Sequence, residues 1–183
     1  MNEIDRLSNE LFEQAKRFLE KAIAASTDSA ARDAYAHAAL LLGFSSLEAH
    51  LNAVAEELAA RPNLGVLDLS ILTERDFTLD DGRFQTTQRL KMYRLEDRLL
   101  YILANFSPSG SQSPTKSPWW QKLKAGIDLR NQLVHPKAKV QVENAAVASA
   151  LTAILDCLDT LYQAVFTRPF PAYKRGLQSV LSY

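Results

Sequence analysis

Cysteine is nearly missing from this chain: Cys157 is its sole example in 183 residues. That excludes an intrachain disulfide framework and a thiolate metal cage. Cys157 falls in an apolar helical pattern with Leu155, Leu158 and Leu161, so it reads as a buried structural thiol rather than a nucleophile. Glycine is also scarce, at 6 residues, and no glycine-rich phosphate loop, His-Glu-x-x-His or paired Cys-x-x-Cys occurs. No serine sits in a nucleophile elbow. The three histidines, His37, His50 and His135, are far apart and show no metal-ligand spacing. Neither a metal nor a cofactor is therefore expected.

Net charge is absent too. Lys plus Arg total 21 and Asp plus Glu total 21, so no global field favours a nucleic acid or a membrane surface. Any such field must be local. No apolar signal-like stretch follows Met1, and the apolar uncharged run Ala34 to Leu47 spans 14 residues. About 20 are needed to cross a bilayer, so the expectation is a cytoplasmic protein without a membrane partner.

What is present is helical pattern. Hydrophobic residues make up 47% of the chain, enough for a core at this length without staples. Ile4, Leu7, Leu11, Ala15, Phe18, Ala22 and Ala25 recur at steps of three and four, which predicts a first helix over about 3–25. A long second helix over about 30–60 carries Leu40, Phe44, Leu47, Leu51, Val54 and Leu58 on its core face and ends before Pro62. Residues 61–85 are the least helical, and Asp81-Gly82 predicts a short hairpin near 77–86. A third helix is expected over about 87–106, with Leu90, Tyr93, Asp97, Leu100, Tyr101 and Ala104 along one side. A Ser/Pro-rich stretch, 107–118, reads as a mobile surface loop within one domain, 1–183. A fourth helix over about 118–134 starts at Pro118 behind Ser117. A fifth covers about 143–167, with a short helical tail at about 172–182. The expected class is all-α, a bundle of four to five main helices with a small β-hairpin insertion.

Chemistry concentrates at one helix end, Arg130-Asn131-Gln132-Leu133-Val134-His135-Pro136. Asn131 and His135 are four apart and share a face. His135 closes the helix, where the macrodipole favours an imidazolium. An imidazole serves as general acid or base, and a guanidinium grips phosphate oxygens in a fork. Lys116, Lys122, Lys124, Lys137 and Lys139 surround the segment with Asp128 as the only acid between 116 and 139, a local positive field suited to RNA. Lysines after a helix end are also favourable through the dipole alone. Trp119 and Trp120 offer either core packing or a face for base stacking. The same Arg-to-His spacing recurs at Arg32 and His37, mid-helix and without basic neighbours, which makes it the decoy. On the second helix Ser45, Glu48 and Asn52 form a polar stripe. Glu48 pairs either with Arg130 or with solvent, Arg94 or Arg98.

The string Leu129-Arg130-Asn131-Gln132-Leu133-Val134-His135-Pro136 resembles the Arg-polar-x-x-x-His signature of HEPN domains, near the end of a late helix as in that family. Phe44 to Asn52 resembles the long second helix of many bacterial members. The resemblance spans about residues 3–167, with specific motifs in these two places only. It implies an antiparallel helical bundle that dimerises, with Arg130 and His135 catalytic and Asn131 the polar residue after the arginine. Glu48 and Asn52 are candidate supporting residues, and Lys122, Lys124, Lys137 and Lys139 candidate RNA contacts. Many members are metal-independent endoribonucleases acting in toxin, stress or defence roles, silenced by an antitoxin or another regulatory protein. Others only bind, so a non-catalytic interaction or RNA-binding dimer stands as the alternative.

Overall fold

The computed structural model describes residues 3–183. Six helices and one two-stranded antiparallel sheet make it mostly helical, at 65% helix. They run α1 (Glu3–Ala24), α2 (Ser29–Ala59), α3 (Val66–Thr73), β1 (Arg75–Asp80), β2 (Arg83–Leu90), α4 (Leu95–Phe106), α5 (Pro118–Val134) and α6 (Asn144–Phe166).

Helix α2 is central. It packs against α1, α3, α4, α5 and α6, and Leu40, Phe44, Leu47, Leu51, Val54 and Leu58 are all buried. Asp28 caps its start by accepting from the Ala31 N–H at 3.0 Å. The buried apolar residues form one continuous cluster. By length and composition α2 and α6 are each apolar enough to cross a membrane, yet 56% and 61% of their apolar windows are buried inside the fold. Core helices satisfy the same length criterion.

The buried face of α1 is rotated from the one the spacing predicts. Phe12, Ala15, Leu19 and Ala22 are buried, whereas Leu7 is 51% exposed; the side chain of Ile4 lies outside the described residues. The C-terminal segment covers a second flank of α1. The Val180 N–H donates to Glu13 at 3.0 Å, the Ser179 N–H to Glu20 at 2.9 Å, and Arg17 Nε to the Tyr183 carbonyl at 2.7 Å. Lys16 is fully buried there and pairs with Glu13 at 2.6 Å. The expected tail helix amounts to a single 3-10 turn, Tyr173–Arg175, behind the buried Phe170.

Two further expectations need correction. The third helix does not begin at Thr87. Thr87 to Leu90 continue β2, whose pairing with β1 sets Leu79 opposite Phe84 and Arg75 opposite Leu90. Asp81 and Gly82 both take positive φ, 46° and 73°, as a tight twisted hairpin turn requires. The helix starts at Leu95, its buried side being Arg98, Leu99, Ile102 and Leu103, while Leu90 is 64% exposed. The second correction is α3, a helix over Val66–Thr73 within the stretch expected to be the least helical. Its first turn is fixed from outside: Asp68 accepts from the Gly65 N–H at 2.7 Å and from the Tyr101 hydroxyl. Those bonds, Tyr101's foremost, hold the Asp68 carboxyl below its ordinary range, so this contribution to stability is present above that range and fades as pH falls. The 107–118 stretch is mostly exposed and includes a 3-10 turn, Pro114–Lys116, with Pro114 buried.

Helix α5 sits tightly against α2 and α6 at Gly126. A Cβ there would lie 2.8 Å from the Ala150 Cβ and 3.0 Å from the Phe44 ring. Alanine would gain about 1 kcal/mol in helix propensity, but overpacking a rigid contact costs about 1–3 kcal/mol. Ala150 has no rotamer with which to retreat. Gly126→Ala is therefore expected to lower stability, by about 1 kcal/mol, read from the urea midpoint. A stabilised variant would mean that α5 has slack against the core.

Candidate functional site

Helix α5 carries the Arg130–His135 segment outward from its packed middle. Leu123, Gly126 and Ile127 are buried against the core, and Leu129 and Leu133 lie partly buried against it. The remaining side chains of the last turn point away. His135 is the C-cap, with φ −125° and ψ 62°, and its N–H closes the last turn on the Asn131 carbonyl at 2.9 Å. Its imidazole is exposed. The helix thus ends where the break before Pro136 predicts.

Of the three histidines, only this one is exposed. His50 is fully buried, its Nδ1 3.3 Å from the Ser8 hydroxyl and 3.4 Å from that of Tyr162, with Phe170 edge-on. His37 is half-buried in α2, with a buried Nε2. Arg32 is turned to its neighbour Asp33 at 3.3 Å.

Arg130 is held from three sides. It ion-pairs with Glu48 of α2, donates to the Asn131 side chain at 3.2 Å, and lies 5.7 Å from the centre of the Phe44 ring. Glu48 is not a buried carboxylate, since its side chain is 47% exposed. The two pairings open for the polar stripe are each realised, by different residues. Glu48 takes Arg130, while Asn52 accepts from Arg98 at 2.9 Å; Ser45 is exposed.

Arg98 is the most embedded charge near the site, at 5% exposure. It pairs with Glu74 at 2.9 Å and donates to the Leu72 carbonyl at 3.1 Å. Burial pulls its pKa down, and Glu74 and Glu48 oppose that shift. The arrangement ties α4 to α2 and to the junction of α3 with β1. From the sequence Arg98 stands out only as an alternative partner for Glu48. Its one visible signal is an arginine flanked by Leu99 and Ile102 on an apolar helix face.

Between α2, the start of α4 and α5 lies an open groove lined in part by Glu48, Asn52, Arg98, Asp128, Arg130 and Asn131. His135 lies beyond this lining. Lys122, Lys124, Lys137 and Lys139 are all exposed, so they remain available to a phosphate backbone. Trp119 and Trp120 are not: they are 7% and 4% exposed and pack edge-to-face, 5.7 Å between ring centres. They are core, and the stacking reading for them falls. Cys157 is fully buried, and burial, with Asp156 nearby, pushes its thiol pKa well up, as a structural residue requires. No cluster of three or more His, Cys, Asp or Glu suited to a metal occurs among the described residues.

No family model, curated protein or solved structure matches the chain.

Proposed function

We propose that this chain is a HEPN-type antiparallel helical bundle that cleaves RNA without a metal, at a site completed by a second copy of itself. The supporting observation is the exposure of His135, five residues after an arginine already held in place: alone among the histidines, it is open to exchange a proton with a substrate. The ribose 2′-hydroxyl next to the scissile phosphate attacks phosphorus in line. One His135 takes the hydroxyl proton; the His135 of the other copy protonates the departing 5′-oxygen. Arg130 from each copy stabilises the phosphoryl oxygens. The product is a 2′,3′-cyclic phosphate. In-line attack sets the entering and leaving oxygens on opposite sides of phosphorus, so one imidazole does not reach both, and two-fold symmetry supplies the second. By the family resemblance the setting is a toxin, stress or defence nuclease held in check by an antitoxin or regulatory partner.

A second reading draws on a different observation. The Arg130 guanidinium is already engaged by Glu48, and Glu74, Glu96 and Asp128 add negative charge to the neighbouring groove. A substrate phosphate must displace or share Glu48. A module that merely binds a partner has no such competition to overcome.

Association coupled to cleavage tests the composite site. Val134 is 48% exposed immediately beside His135, an apolar side chain suited to burial at a two-fold contact. Wild type is expected to sediment as a dimer at micromolar concentration. Val134→Arg is expected to weaken both dimerisation and cleavage by about tenfold or more. A monomeric wild type that cleaves at full rate would rule out the composite site.

A further inference from the structure

The groove beside Arg130 contains groups for which the phosphate chemistry has no use. It encloses about 440 Å³. Four carboxylates line it, and three already face arginines: Glu48 with Arg130, Glu74 with Arg98, and Glu96 with Arg94. Asp128 is exposed and has no basic partner among the described residues. It lies one helical turn before Asn131 on α5, so the carboxylate and the amide are neighbours on one face. Asn131 uses its Oδ1 to accept from Arg130, leaving its NH2 group for another acceptor. Met92, 75% exposed, with Tyr93, Leu95 and Ile127 gives the groove an apolar wall. Arg98 also lines it, and its buried Nε–H has no acceptor among the described residues.

Such a mixture suits a base better than a phosphate. A phosphate is repelled by the carboxylates and belongs at the rim, on Arg130. A flat neutral ring rich in N–H donors fits inside, against the apolar wall. We propose that the groove reads guanine on the nucleotide whose phosphate Arg130 holds, with Asp128 as the specificity-determining residue; this rests on the RNA-site reading above. A carboxylate accepts two parallel N–H bonds. Among the four RNA bases, guanine alone presents two adjacent donors on its pairing edge, N1–H and N2–H. Adenine and cytosine present one amino group each, and uracil presents one imino group between two carbonyls. The guanine O6, beside N1, faces the Asn131 amide.

The test measures binding of GMP, AMP, CMP and UMP to the full-length chain by calorimetry, alongside cleavage of an RNA of mixed sequence. GMP is expected to bind about tenfold or more tighter than the other three. Asp128→Asn, an exposed and nearly isosteric change, replaces an acceptor by a donor and is expected to abolish that preference. Arg130→Ala is expected to weaken all four nucleotides alike. A GMP preference that depends on Asp128 in a protein that cuts no RNA would support the pocket and remove the nuclease reading. Equal affinity for the four nucleotides, or a GMP preference unchanged in Asp128→Asn, overturns the proposal whether or not RNA is cut.

Discussion

His135→Ala is expected to reduce RNA cleavage by about two to four orders of magnitude, the usual contribution of a positioned general acid or base. Its exposure at the end of α5 makes this variant clean. The imidazole supports no packing, so helical circular dichroism and the unfolding midpoint should be unchanged. Arg130→Ala is expected to lose a comparable factor through loss of charge stabilisation at phosphorus. It is less clean, because it also leaves Glu48 without its partner. Arg130→Ala with Glu48→Gln removes that complication and should be equally inactive. His37→Ala is the control. It keeps the arginine-to-histidine spacing intact at 130 and 135 while removing the decoy, and should retain nearly full activity. Equal cleavage by His135→Ala and wild type would leave the interaction module as the surviving account.

The largest effect on stability is expected at Arg98. Its guanidinium is held between Glu74, Asn52 and the Leu72 carbonyl with almost no solvent contact. Removing one partner of a buried pair leaves an uncompensated charge and unmet hydrogen bonds, at about 3–5 kcal/mol. Glu74 is 15% exposed in its side chain, so partial hydration places Arg98→Ala at the lower end, about 3 kcal/mol. Urea denaturation checks it. The pair Arg98→Met with Glu74→Gln should recover much of the loss, because two neutral groups of similar size replace the two charges. A loss under about 1 kcal/mol in Arg98→Ala would mean that the pair behaves as a surface ion pair.

Long periodic helices were legible because their burial follows local spacing. The six core residues expected on α2 are buried, and α2, α5 and α6 have limits within a residue or two of those read from caps and prolines. What depends on distant segments was not legible. A second flank of α1 is covered by residues 179–183, more than 150 positions away in the chain. The start of α4 was misplaced because Gln85 to Leu90 alternate in a way that suits helix or strand, and only pairing with β1 decides. Helix α3 owes its first turn to Tyr101, over 30 residues on. At the site, charge complementarity was visible but partner choice was not. Glu48 could be matched to three arginines on sequence grounds, and packing gave it Arg130 while handing Arg98 to Asn52 and Glu74. The bulk of the tryptophans favours core over a stacking platform, and both are buried.

The most direct test of the central claim is the chemistry of the cut ends. Wild-type protein incubated with single-stranded RNA and excess chelator should cleave it, leaving 2′,3′-cyclic phosphate and 5′-hydroxyl termini, since attack by the ribose hydroxyl needs only an acid, a base and a cation. Intact RNA under these conditions, or 5′-phosphate ends that vanish with chelator, would contradict it.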